Sequence, residues 1–200
     1  MRFAVMGTGD VGKAIGAGLV SLGHEVRVGS RSAGPGKSTF AEAAAWAEVI
    51  VNATKGEASL AALRAAGSAN LVGKILIDVA NPLDFSKGMP PTLLVKDNDS
   101  LGESIQREFP QAMVVKTLNT MSAALMANPG LVKEEHDVFL SGNDKAAKAF
   151  VTEILRAWGW KNIRDIGDIT TARGTEMLMP LWIRLLGTFG NGLYNFHVAT

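Results

Sequence analysis

The sequence predicts an α/β fold: a doubly wound, mostly parallel sheet with a small helical annex at the C-terminus. Three observations carry this. Short, continuous apolar runs alternate with helical apolar stripes from the first residue onward. The runs lack the in–out alternation of a half-exposed strand, so both faces of the sheet are covered. A glycine-rich turn separates the first run from the first stripe. A chain of 200 residues allows one domain plus a small annex. The switch to helical, strongly apolar sequence sets the division at 1–167 and 168–200.

Each element follows in order. Phe3-Ala4-Val5-Met6 is the first strand, and Val11, Ala14, Ile15, Leu19 and Leu22 form the stripe of the next helix. Gly23 ends that helix. Residues 24–29 form the second strand, 39–47 an Ala-rich helix, 49–51 a third strand, 59–66 a helix and 74–79 a fourth strand. Residues 81–98, with Pro82, Pro90 and Pro91, read as a long irregular loop. Leu101, Ile105 and Phe109 make a helix stopped by Pro110. Residues 113–115 and 138–140 are the fifth and sixth strands. A wide stripe from Ala147 to Trp158 is helical, and 163–166 is a late strand. From about Ile169 the chain is helical, with Pro180 as a start or kink.

Composition excludes several function classes. The absence of cysteine removes disulfides, thiolate metal sites and redox thiols. A net charge of +1 leaves no global field to hold a nucleic-acid backbone. The N-terminal apolar run stops at Gly7, too short for a signal-peptide core. The longest uncharged stretch, 185–200, is interrupted by three Gly and two Asn. The expectation is a soluble, cytoplasmic protein with no metal, membrane or nucleic-acid partner.

Gly7-Thr8-Gly9-Asp10-Val11-Gly12 matches G-x-G-x-x-G between a strand and an amphipathic helix, the context of a Rossmann-type dinucleotide site. The first Gly permits the tight turn, the second lets a pyrophosphate approach, and the third lets helix and strand pack closely. The helix N-terminus supplies free N–H groups to the phosphates. A plain glycine turn is the competing reading. Asp10 would repel a pyrophosphate, so its side chain is expected to point away or cap the helix. The second strand ends Val28-Gly29-Ser30-Arg31, and no acid lies between Glu25 and Glu42. An NAD site needs an acid there for the ribose 2′-OH. Ser30, Arg31 and Lys37 instead suit a 2′-phosphate, which predicts NADP(H). Gly34-Pro35-Gly36-Lys37-Ser38 imitates the end of a P-loop, but Arg31 stands where that motif needs Gly.

Ligands of open parallel sheets bind at the carboxyl ends of the strands. The residues expected there are 7–10, Ser30 and Arg31, 52–55 with Thr54, 80–83 with Asn81, Pro82 and Leu83, and 116–121. His24 and His136 precede their strands, which places them at the opposite edge, and His197 lies near the C-terminus. This argues against a histidine-based dehydrogenase. Lys55 and Lys116 are candidates to orient a carbonyl substrate, or are solvated or phosphate-contacting charges. About 30 residues follow the last strand, too few to enclose a small polar substrate. That favours a site shared by two chains, or a second flat cofactor lying on the nicotinamide.

Residues 7–12 and 28–31, Asn81-Pro82-Leu83, Lys116-Thr117-Leu118-Asn119-Thr120 and Thr175-Glu176-Met177-Leu178-Met179-Pro180-Leu181 together resemble the NADPH-dependent F420 reductase family. These enzymes pass hydride between NADP(H) and a 5-deazaflavin coenzyme. The resemblance implies a homodimer whose C-terminal helices help form the deazaflavin cleft. It implies that Thr8, Ser30, Arg31 and Lys37 hold the phosphate end of NADP, with Pro82, Leu83, Asn119 and Thr120 near the two rings. Archaeal members resemble one another in having His-Thr where this chain has Asn119-Thr120; the cytosolic domain of membrane ferric reductases is similar to this chain in its Asn. A flavin (FMN or FAD) or a ferric chelate is therefore an alternative acceptor, and a non-catalytic NADPH-sensing module a third reading. Lys87, Lys96, Arg173 and Arg184 are open as contacts to the second cofactor. Trp160 and Trp182 are expected in the core or a dimer contact. The stripe Met177, Leu178, Leu181, Trp182, Leu185, Leu186 should bury within the domain or across a two-fold interface.

Overall fold

The computed structural model describes residues 1–199. The chain opens with β1 (Arg2–Met6), α1 (Asp10–Ser21), β2 (Glu25–Ser30), β3 (Ser38–Thr39), α2 (Phe40–Trp46), β4 (Val49–Asn52), α3 (Gly56–Ala66) and β5 (Ile75–Asp78). It continues through β6 (Leu83–Asp84), β7 (Thr92–Leu93), α4 (Leu101–Glu108), β8 (Met113–Thr117) and α5 (Ala123–Met126). It closes with β9 (Asp137–Gly142), α6 (Lys145–Ala157), β10 (Asn162–Asp165), α7 (Ala172–Met177) and α8 (Met179–Phe189).

Eight strands form one sheet in the order β10-β9-β8-β5-β4-β1-β2-β3. The order reverses beside β1, so a crevice opens at the carboxyl ends there. Successive side chains of each strand feed two cores. Phe3 and Val5 join Ile15, Leu19, Val51, Leu155 and Trp160 on one face. Ala4 and Met6 join Phe40, Ile50, Leu63, Leu76 and Ile105 on the other. Each large apolar side chain so buried contributes about 1.5–3 kcal/mol relative to exposure. The predicted doubly wound fold is borne out.

Two local expectations need correction. β9 pairs antiparallel with β8, and β10 follows β9 in parallel. Between β8 and β9 the chain makes only the one-turn helix α5 and the tight turn at Pro129–Leu131, with no crossover back to the amino edge. Hence His136 lies on the carboxyl side of the sheet, not the opposite side. It is nevertheless a packing residue: its ring meets Trp160 edge-on at 4.9 Å, and its Nε2 lies 3.1 Å from the Pro129 carbonyl. The irregular loop 81–98 contains an antiparallel ribbon, β6 with β7, whose Leu83 pairs with Leu93. Pro180 acts as the helix start that the sequence offered, opening α8 at its first turn and dividing the terminal helical segment in two.

The C-terminal helices are tied down by charge. Arg173 of α7 forms a bidentate pair with Glu103 of α4, at 2.8 and 2.5 Å. Gly190 ends α8 in the left-handed region (φ 70°). The chain then runs as a strap to Asp137. The Asp137 N–H donates to the Phe196 carbonyl (2.9 Å), while its carboxylate accepts from Val198 N–H (2.7 Å) and Arg164 (2.8 Å). Among the described residues no helix is long and apolar enough to cross a membrane.

Candidate functional site

The three glycines of the turn have separable structural reasons. Gly7 has φ +126°, and a Cβ there would strike the Ala53 carbonyl. A Cβ on Gly12 would strike the Gly7 carbonyl, so this glycine lets α1 close onto β1. A Cβ on Gly9 would meet nothing within 4 Å. Gly9 has ordinary extended φ and ψ as N-cap of α1 and makes no side-chain cap. Its openness therefore serves no internal packing; it leaves room for a group from outside, in front of uncapped helix N–H groups. Asp10 does not cap the helix. Its side chain is 93% exposed and stands 3.9 Å from Lys13. Thr8 is exposed on the same turn, and Val11 is half-buried beside it.

At the end of β2, Ser30 is buried and its hydroxyl donates to the Ser32 carbonyl at 2.5 Å. That bond turns the chain so that Arg31 projects into solvent. Lys37 is also exposed, at the far side of a tight loop closed by two backbone bonds with Gly34 at 3.0 Å. The structure thus brings both cations to the β2 end of the crevice, clear of the core.

A cleft of about 520 Å³ runs on from the glycine turn. Gly9, Asp10 and Val11 line one end; Thr54 and Lys55, with Asn81 and Leu83, line its floor. Phe85, Met121, Met126, Met179 and Trp182 form an apolar wall. Trp182 was expected in the core or a dimer contact; it is 8% exposed but belongs to this wall, with Tyr194 stacked behind it at 5.3 Å. Trp160 is a core residue, donating to the Met126 carbonyl at 3.0 Å. Pro82 is buried, its carbonyl accepting from Leu94 N–H at 2.7 Å. Lys87, Lys96 and Arg184 are exposed, while Arg173 is engaged by Glu103.

Asn119 and Thr120 are buried and do not line the cleft. Leu118 adopts the left-handed region (φ 60°), unusual for a branched residue. This bend turns Asn119 against Asn81 in a reciprocal pair: Asn81 Nδ2 donates to the Asn119 carbonyl (2.7 Å), and Asn119 Nδ2 to Asn81 Oδ1 (3.0 Å). Asn119 reaches the cleft only through Asn81.

Lys116 corrects both readings of the sequence. It is neither solvated nor free to meet a substrate carbonyl, being 1% exposed. It lies in a polar row across the sheet, because Asn52, Asp78, Lys116 and Ser141 occupy one register. Lys116 Nζ is 2.8 Å from Asp78 Oδ2 and 2.8 Å from Glu176 Oε1, and donates to the Ala80 carbonyl at 2.5 Å. Desolvation pulls its pKa down, but Asp78 and Glu176 outweigh that and hold it above the ordinary lysine value. Asp78 Oδ1 accepts from Asn52 (2.8 Å), and Asn52 Oδ1 from the Thr54 hydroxyl (2.7 Å). Glu176 accepts from Leu101 N–H (2.8 Å) and Gly102 N–H (3.1 Å) at the start of α4. Asn52 is expected at a strand end and Glu176 stands within the motif that carries the resemblance, but nothing in the sequence joins them, or Asp78, to Lys116. The available signal for Asn52, Asp78 and Lys116 was a polar residue at the end of an otherwise apolar strand; Glu176, on α7, had no such signal.

The model of the family described as NADP oxidoreductase, coenzyme F420-dependent, matches residues 2–82. Metalloreductase STEAP3 of Rattus norvegicus is 32% identical over 197 residues, covering 90% of this chain and 38% of its own length. The chain thus spans little more than a third of that relative. The F420-dependent NADP reductase of Methanocaldococcus jannaschii is 26% identical, with 92% of each chain covered. The crystal structure of a candidate F420-dependent NADP reductase from Arthrobacter sp. FB24 superposes with a TM-score of 0.96 at 52% identity, covering both chains fully. With a relative 52% identical over the whole of both chains and the family's model matching residues 2–82, the chain belongs to the coenzyme F420-dependent NADP oxidoreductase family.

Proposed function

We propose that the protein transfers hydride between NADP(H), bound across residues 7–12 and the β2 end, and coenzyme F420 in the adjoining cleft. The observation that carries this is the unfilled space at Gly9 in front of an uncapped helix, continuous with a cleft whose far wall is apolar. The pair of cofactors supplies the hydride donor and acceptor; the chain supplies position and exclusion of water. Uncapped α1 N–H groups hold the pyrophosphate, and Arg31 with Lys37 takes the 2′-phosphate, with Ser30 shaping the turn. Thr54, Asn81 and Leu83 set the nicotinamide edge. Met179 and Trp182 press a flat ring toward it and keep the site dry. Such placement is what direct transfer needs, since reacting atoms must stand about 3–3.5 Å apart.

The reading includes a homodimer, because Met177 and Leu181 of the apolar stripe are 40% and 50% exposed in the single chain. It also includes the cytoplasmic location expected from the cysteine-free sequence, which cell fractionation tests. Similarity to a metalloreductase favours one alternative, in which a flavin or ferric chelate takes the electrons. Anaerobic NADPH oxidation with F420, FMN and ferric chelate offered in parallel decides between them. Turnover with F420 alone is expected. Turnover only with flavin or iron overturns the F420 assignment, and tight NADPH binding without turnover overturns the enzymatic one.

A further inference from the structure

We infer that Lys116 is a positioning residue that holds the two walls of the cleft at a fixed separation. The inference rests on the hydride-transfer reading for its consequence and on geometry for its substance.

One ammonium group, carried on β8, joins the end of β5 to α7. Its bond to the Ala80 carbonyl, 2.5 Å long, fixes the residue immediately before Asn81, which lines the cleft floor. Its 2.8 Å contact with Asp78 reaches the same floor a second way, since Asp78 Oδ1 also accepts from Ala80 N–H (3.2 Å). Through Asn52 the same carboxylate reaches Thr54 on the neighbouring strand end. Its 2.8 Å contact with Glu176 reaches the opposite wall, because Met179 and Trp182 follow Glu176 by three and six residues. Glu176 also anchors the start of α4. A lysine and two carboxylates in a dry interior are weak evidence for stability and better explained by the geometry they impose. Three donors on one short ammonium leave little freedom to the groups it holds.

A loosened row lets floor and wall drift while the dinucleotide stays anchored elsewhere, at the glycine turn and Arg31. Hydride transfer is steep in distance, whereas affinity for NADPH comes chiefly from the charge-assisted phosphate contacts at the glycine turn and Arg31. The variants are Glu176→Gln, which keeps Lys116 paired with Asp78, and Lys116→Met, which keeps the side-chain length without the charge. For E176Q we expect a dissociation constant for NADPH within twofold of the parent. We expect kcat with saturating F420 to fall at least tenfold. Hydrogen exchange of the amides in residues 79–84, followed by mass spectrometry without any acceptor, should quicken at least tenfold. K116M should show the same pattern more strongly; if it does not fold, E176Q alone decides. Unchanged exchange and kcat in E176Q would overturn the inference. So would a parallel loss of NADPH affinity, kcat and Tm, the mark of a merely structural residue. If the parent protein does not turn over F420, the function reading fails, but the exchange measurement still decides whether the row holds the floor.

Discussion

At the scale of single residues, the glycine turn offers a clean separation of ligand binding from folding. Gly9 has open space and an unstrained backbone, so G9A should fold, with Tm lowered by no more than the roughly 2–4 °C that Ala costs at an N-cap. The added methyl occupies the approach of the pyrophosphate, and NADPH affinity should fall at least tenfold by fluorescence titration. Gly12 is the opposite case. Its Cβ would overlap the Gly7 carbonyl, so G12A must push α1 off β1 and lower Tm before any ligand is added. Arg31 tests cofactor choice. A charge-assisted hydrogen bond is worth about 1.5–3 kcal/mol, or roughly 10–100-fold in affinity. R31A should lose that much for NADPH and less than threefold for NADH; equal losses would refute the 2′-phosphate role.

At the scale of elements, the C-terminal strap depends on one carboxylate. Asp137 is fully buried, and burial pushes its pKa up. The Val198 N–H, Arg164 and His197 more than offset this, and the net result lies below the ordinary aspartate value. A carboxylate with a depressed folded pKa stabilises the state in which it is charged. That stability is complete above the unfolded value of about 3.9 and is lost as the pH falls through the lower folded value. Acid should therefore release residues 190–199 in that window, exposing Tyr194 of the strap and Trp182 of α8, which stack on one another while the strap is docked. A red shift of tryptophan emission below about pH 4, abolished as a separate step in D137N, is the expected signature. If emission and far-ultraviolet circular dichroism change together at every pH, the strap is not a separate unit.

At the scale of the whole molecule, the unresolved burden is the apolar face of α7 and α8. Phe189 and Leu181 are 54% and 50% exposed, while Trp182 between them is buried. A helix apolar over so wide an arc normally covers it with protein. Light scattering at micromolar concentration should give twice the 21.1 kDa chain mass. Leu181→Lys should shift the mass toward that of one chain and leave the far-ultraviolet spectrum unaltered. A 21.1 kDa species in the parent would remove the dimer from the functional reading.

What the sequence by itself determined is local and periodic. Apolar period placed the central strands and helices, and glycine spacing placed the dinucleotide turn, because both are set by residues within a few positions of one another. The missing acid and the Ser30-Arg31 ending depend likewise on a short stretch. Only the tertiary structure decided the rest. The antiparallel return of β9 follows from a connection that contains no crossover helix, and it moved His136 to the other side of the sheet. The row through Lys116 joins residues 38 and 75 positions apart, such as Asp78 with Lys116 and Leu101 with Glu176. Asn119 was visible as a motif residue, but its engagement with Asn81 was not. A lone lysine in a sequence is most cheaply read as solvated, because burying its charge costs several kcal/mol. Here the β5 end and α7 converge on β8 to supply partners, and convergence over such distances leaves no periodic mark on the chain.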